Sequence, residues 1–150
     1  MIGELPKILI SVIHQGWIRP EFAQLIPSLL NNIYKPTLYF SYDKPYQSSL
    51  NRVRKKVLNE GFDFWISFDH DNVPLKNPLE LVELDKDIIG MPYLVWKPDY
   101  DGKPNIGWLV MQRTGEYEYR QIPKEARQGL IEVDAVGSGA IIIARRVLEN

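Results

Sequence analysis

A chain of 150 residues has room for one domain with a real hydrophobic core. Its net charge of −1, from 18 basic and 19 acidic side chains, excludes the strong positive field that broad nucleic-acid or membrane-surface binding needs. The absence of cysteine excludes disulfides, thiolate metal sites and a cysteine nucleophile, and fits a reducing compartment. No stretch approaches the ~20 apolar residues that span a bilayer. The apolar run at residues 8–13 is too short for a usual signal peptide, and no small-residue cleavage site follows it. The expectation is a soluble, cytoplasmic protein without a transmembrane segment.

Residues 7–13 (KILISVI) form a short β-branched run that predicts a buried strand, ended by His14-Gln15-Gly16. Pro20 suits the first turn of a helix, and Phe22, Leu25, Ile26, Leu29, Leu30 and Ile33 follow at helical spacing. Pro27 inside that pattern predicts a kink or a late start. Residues 37–42 (TLYFSY) read as a second strand, ended by Asp43-Lys44-Pro45. Ser48 or Ser49 is expected to cap a helix that runs to about Asn59 with Leu50, Val53 and Val57 inward, and Gly61 to stop it. Residues 62–68 (FDFWISF) predict a third, central strand that runs straight into Asp69-His70-Asp71-Asn72. Asn77-Pro78 caps and opens a short helix over 79–84, and residues 87–94 give a fourth strand.

Beyond Tyr93 the pattern changes. Turn signals at Asp101-Gly102 and Thr114-Gly115 separate strand-like runs at 108–112 and 116–122, as in an antiparallel excursion. Residues 125–128 suit one helical turn. Residues 130–136 and 140–143 are strand-like, split by Gly137-Ser138-Gly139. The alternation of strands and helices before the hairpins predicts a parallel α/β sheet, with ligands bound at the C-terminal strand ends. No repeat or convincing internal boundary interrupts the chain, so a single domain over 1–150 is expected. Residues 144–150 (ARRVLEN) resemble the first turns of a helix, which points to a truncated C-terminus or an unusually small protein.

The chemistry concentrates at Asp69 and Asp71. Two carboxylates at i and i+2, just past a strand end, converge where the chain turns. Hard cations such as Mg²⁺ and Mn²⁺ want such oxygen ligands, and an ion held there can neutralise charge on a diphosphate leaving group. The plain alternative is an Asx turn or a cap for the next segment.

Three stretches together resemble glycosyltransferases of the GT-A fold. They are ILISVIHQGWIRPEFAQLIPSLL, LNRVRKKVLNEGFDFWISFDHDNVPLKNPLELVELDKDIIGMPY with its D-x-D triplet, and VDAVGSGAIIIARRVLE with its Gly-rich loop. The resemblance implies a Rossmann-like GT-A nucleotide-diphospho-sugar transferase fold. That means a mainly parallel central sheet with helices on both faces and a C-terminal antiparallel excursion. It implies a metal-dependent glycosyltransferase that moves a sugar from a nucleoside-diphosphate sugar, of UDP or GDP type, to an acceptor. Asp69 and Asp71 would hold Mn²⁺ or Mg²⁺ and, through it, the diphosphate. Asn51 matches the asparagine of an Arg-Asn pair that opens the second helix; Leu50 stands in the arginine's place, with Arg52 or Arg54 as substitutes or as solvated residues. His14 and Gln15 stand where relatives touch the nucleotide, and Asp43 where an acidic residue meets base or ribose; a loop histidine and a turn aspartate are the ordinary alternatives. Gly137, Ser138 and Gly139 match the loop beside the donor sugar, or form a simple turn or bulge. Trp96 and Trp108 could stack on a sugar or base, or pack in the core. His70 is expected to turn away from the metal.

The acceptor half is short or absent. The general base and the later metal-binding histidine of the family are not visible, and Glu132 and Asp134 precede the loop that the base normally follows. Other readings therefore stay open. One is a non-catalytic nucleotide-sugar-binding module. Another is a homo-oligomer, or a subunit whose partner supplies the acceptor site. Phe68-Asp69-His70-Asp71-Asn72-Val73 also fits the D-x-D-x-[TV] string of haloacid-dehalogenase-like phosphatases, with Asp69 as nucleophile and Asp71 as general acid. That string normally lies on a first strand. Nucleotidyltransferases are a closer rival, but their Gly-rich basic loop is missing from SVIHQGWIRP.

Overall fold

The computed structural model describes residues 4–91, 94–98, 104–123 and 129–149, with the strands at 94–98 and 104–108 described by backbone alone. The elements run β1 (Ile8–Ile13), α1 (Pro20–Leu30), β2 (Thr37–Ser41), α2 (Tyr46–Glu60), β3 (Phe64–Asp69), a 3₁₀ helix (Pro78–Leu84) and β4 (Ile88–Gly90). They continue with β5 (Leu94–Pro98), β6 (Pro104–Trp108), β7 (Val110–Arg113), β8 (Tyr119–Gln121), β9 (Ala135–Val136), β10 (Ala140–Ala144) and α3 (Arg145–Leu148). They form two compact units, one from Met1–Ile89 with Gly139–Asn150, the other from Gly90–Ser138. The expected turn at Asp101-Gly102, the helical turn at 125–128 and the side chains of Trp96 and Trp108 lie outside the described residues.

The first unit is built on a five-stranded sheet ordered β2-β1-β3-β10-β4. β1 runs parallel to both β2 and β3, so Ile13 lies between Ser41 and Asp69 and three strands end at one edge. Successive side chains alternate faces. Leu9, Ile13 and Trp65 pack against Val53 and Val57 of α2. On the opposite face Phe68 meets Phe22 of α1 edge to face, with ring centroids 5.6 Å apart. Burying two valines on α2 contributes roughly 1.5–3 kcal/mol each, more than the helix's own propensity would. Between β1 and β3 a small polar network is closed internally. Trp65 Nε1 donates to Ser11 Oγ at 2.7 Å, and the Ser11 and Ser67 hydroxyls lie 3.2 Å apart.

The Rossmann-like, mainly parallel GT-A sheet that the sequence led us to expect is corrected here. The chain is a mixed α/β protein in which β10 runs antiparallel to β3 and fills the place beside it. The remaining strands form a two-stranded antiparallel pair, β5-β6, and a three-stranded antiparallel sheet, β8-β7-β9. Strand composition accounts for the positions of β10 and β4 in the sheet, while direction is set by packing partners remote in sequence. AIIIA of β10 presents five small or branched apolar residues and stays buried or half-buried throughout. It suits an interior position, where both faces are covered. IIG of β4 is only three residues long, with Ile88 half exposed, and suits an edge.

Local signals set the helix ends. α1 starts on Pro20 rather than late, and keeps Pro27 within it. α2 begins after Pro45 without a side-chain cap, so neither Ser48 nor Ser49 plays the capping role expected of them. Its C-cap Gly61 takes φ 68°, the left-handed conformation that lets the chain turn into β3. Asn77 accepts from the Leu79 amide and opens the 3₁₀ helix. No helix among the described residues is long and apolar enough to cross a membrane.

The second unit carries one tight backbone approach. A Cβ added at Gly90 would lie 2.5 Å from Val136 Cβ and 2.5–2.6 Å from its two methyl carbons. Gly90→Ala is expected to cost about 1–3 kcal/mol, read as a lower denaturation midpoint. Val136→Gly should relieve that added cost. Val136→Ala should not, because alanine keeps the offending Cβ. An unchanged midpoint in Gly90→Ala would show that the two strands separate freely.

Candidate active site

The parallel part of the sheet brings the ends of β1, β2 and β3 to one edge, and the residues singled out from the sequence divide there. Asp69 closes β3 and is half-buried. Its amide donates to the Gly139 carbonyl at 2.8 Å and its carbonyl accepts from Asn72 at 2.9 Å, so residues 69–72 form a hydrogen-bonded turn. The His70 amide ties that turn to Ile13 of β1 at 2.9 Å. Asp71 stands exposed at the tip.

Burial pushes the Asp69 carboxyl above its ordinary range. A hydrogen bond from Tyr46 pulls it back, the charge of Asp71 adds to the rise, and His70 opposes it. Tyr46, the first residue of α2, donates its hydroxyl to Asp69 Oδ1 at 2.7 Å. Nothing local in the sequence joined residue 46 to residue 69. The only hint was an aromatic at the head of a helix in a polar, proline-containing stretch.

His14, at the end of β1, stacks on Tyr42 with centroids 5.3 Å apart, and its Nδ1 accepts from the Gly16 amide. Asp43, just past β2, pairs with Arg52 at 2.9 Å through Oδ1. Its amide donates to Ser49 Oγ at 2.8 Å, which is where the buried Ser49 spends its hydroxyl instead of capping α2. Arg52 is thus engaged by Asp43, and Arg54 donates to the Leu148 carbonyl. Asn51 lies exposed on α2. His70 meets Trp17 edge-on, with centroids 4.2 Å apart. Of the Gly-rich loop, Gly139 belongs to the first unit and holds the Asp69 amide, while Gly137 and Ser138 belong to the second. Gly137 donates to the Leu109 carbonyl there. Asp134 is likewise occupied, accepting from the Arg113 amide at 2.8 Å.

Three buried side-chain atoms find no hydrogen-bond partner among the described residues: Ser41 Oγ, Asp43 Oδ2 and His70 Nδ1. All three belong to residues at or just beyond the ends of β2 and β3. Buried polar atoms cost free energy unless water or a ligand satisfies them, and these three lie at one edge of the sheet.

No group of three or more His, Asp and Glu side chains with metal-holding geometry occurs among the described residues. Two carboxylates nevertheless suit Mg²⁺ or Mn²⁺ where phosphate oxygens and water complete the shell, as is usual for these ions on nucleotides. Burial and like charge disfavour ionised Asp69 beside Asp71, and a divalent cation would reverse that balance.

No family model and no curated protein sequence matches this chain. Its fold is that of a known structure. The crystal structure of A197 from STIV superposes with a TM-score of 0.59 at 18% identity, over 95% of this chain and 67% of that one. At that identity the likeness concerns the fold, and the chemistry of the edge has to be argued from the residues.

Proposed function

We propose that this chain is a metal-dependent glycosyltransferase domain that binds a nucleoside-diphosphate sugar, of UDP or GDP type, at the edge formed by β1, β2 and β3. One observation carries the reading: Asp69 and Asp71 share a tight turn at the same strand edge as three buried polar atoms without partners. Asp69 and Asp71 would hold Mn²⁺ or Mg²⁺, which when bound supplies charge neutralisation at the diphosphate leaving group. Asp43, just past β2 at the same edge, would serve the ribose or the base. His14, stacked on Tyr42, offers an aromatic neighbour for the nucleotide. The lack of cysteine suits a cytoplasmic setting.

Calorimetric titration of UDP and GDP, with and without Mn²⁺, tests this. Wild type should bind one nucleotide in a Mn²⁺-dependent manner, and Asp69→Ala/Asp71→Ala should not. A folded wild-type protein that binds neither would remove the donor site. Binding without sugar transfer or donor hydrolysis would leave a non-catalytic sugar-nucleotide module.

A further inference from the structure

We propose that Tyr46 is a positioning residue of the metal site, its hydroxyl holding one oxygen of Asp69 so that the other is presented to the cation. The proposal rests on the donor-site reading above. A carboxylate at a strand end can rotate, and a cation loses affinity when its ligand has to be oriented on binding. Tyr46 removes that freedom with a 2.7 Å hydrogen bond to Oδ1.

The helix that carries Tyr46 is itself held from two directions. Val53 and Val57 lock α2 onto β1 and β3. One turn into the helix, Ser49 is tied to the amide of Asp43 beyond β2. The first residue of α2 is therefore fixed against the end of β3. The choice of side chain matters as well. A lysine or arginine in the same place would orient Asp69 but cancel the charge the cation needs. A phenol orients the carboxylate and leaves its charge intact.

The test is titration of Mn²⁺ into protein with UDP, and separately with GDP, for wild type, Tyr46→Phe, Asp69→Asn and the double variant. Tyr46→Phe should weaken Mn²⁺ about 10–100-fold, the range found when an outer-shell partner of a metal ligand is lost. Its melting temperature and any metal-free nucleotide binding should stay at wild-type values. Added to Asp69→Asn, it should weaken Mn²⁺ no further. Wild-type Mn²⁺ affinity in Tyr46→Phe would overturn this role and leave the donor site standing. So would a parallel fall in melting temperature and metal-free binding, which marks a scaffold role. A wild-type protein that binds no Mn²⁺-nucleotide would remove both readings together.

Discussion

An Asp69→Asn protein is expected to lose Mn²⁺-dependent nucleotide binding by at least about 100-fold, since loss of an outer-shell partner alone can reach that, and yet to melt higher than wild type at pH 7. The two effects have one origin. Burial raises the Asp69 carboxyl above its ordinary range, and the charge of Asp71 adds to that rise. A carboxyl whose folded value lies above its unfolded value binds its proton more tightly when folded. Its contribution to stability is therefore complete below the unfolded value, about 3.9, and is lost as pH rises through the folded one. At pH 7 the ionised group opposes folding. Asparagine removes that opposition, and its carbonyl oxygen can still accept from Tyr46. The thermal advantage of the variant should shrink as pH falls and be gone near pH 3.5. Melting curves at the two pH values check this. A variant less stable than wild type at pH 7 would mean that the extra strength of the Tyr46 bond to a charged carboxylate, over one to a neutral carbonyl, outweighs burial and repulsion.

The larger loss of stability should follow Phe68→Ala. Phe68 is fully buried, and its ring meets the equally buried Phe22, which brings α1 onto the sheet face opposite α2. Removing it costs the transfer of the ring and leaves a cavity that the flanking strands cannot close, about 3–5 kcal/mol. For a domain of this size that corresponds to a fall in melting temperature of about 6–20 °C. Phe68→Leu, which keeps most of the volume, should lose less than half as much. Equal losses for the two variants would mean that the edge-to-face geometry, rather than filled volume, is what the pair contributes.

Much of the first unit was legible because its signals are local. The runs at 8–13, 37–41 and 64–68 are strands by their apolar, β-branched composition. Gly61 ends α2 as expected, and Asn77-Pro78 opens a helical turn. The parallel direction of β1, β2 and β3 followed from the helices between them, but the direction of β10 was not legible. Residues 140–144 read equally well as a parallel or an antiparallel neighbour, since side-chain alternation is the same both ways. Their place between β3 and β4 is decided by packing partners remote in sequence. The candidate site divides along the same line. Asp69 and Asp71 stand out because they interrupt an apolar run at its end. Tyr46 and Ser49 do not, because each acquires its role from a residue on a different element. Ser49 is the sharper case: a serine near a helix start suggests a cap, but here the nearby Asp43 amide claims its hydroxyl.

The antiparallel insertion of β10 also bears on how the protein comes to be folded. The Asp69 amide rests on Gly139, and Phe68 pairs with Ala140, so the turn that carries both aspartates is completed by a segment remote from it in sequence. β1, α1, β2, α2 and β3 can assemble from contacts between neighbours while the polypeptide is still being synthesised. The last interior strand cannot join them until the whole 90–138 segment has emerged and its loop has closed, a step whose entropy cost falls on the rate of folding more than on final stability. Until then β3 exposes an open edge beside its aspartates. The pair of carboxylates therefore becomes ordered only once β10 has docked beside β3, and ligand capture should report that docking rather than the earlier assembly of β1, β2 and β3.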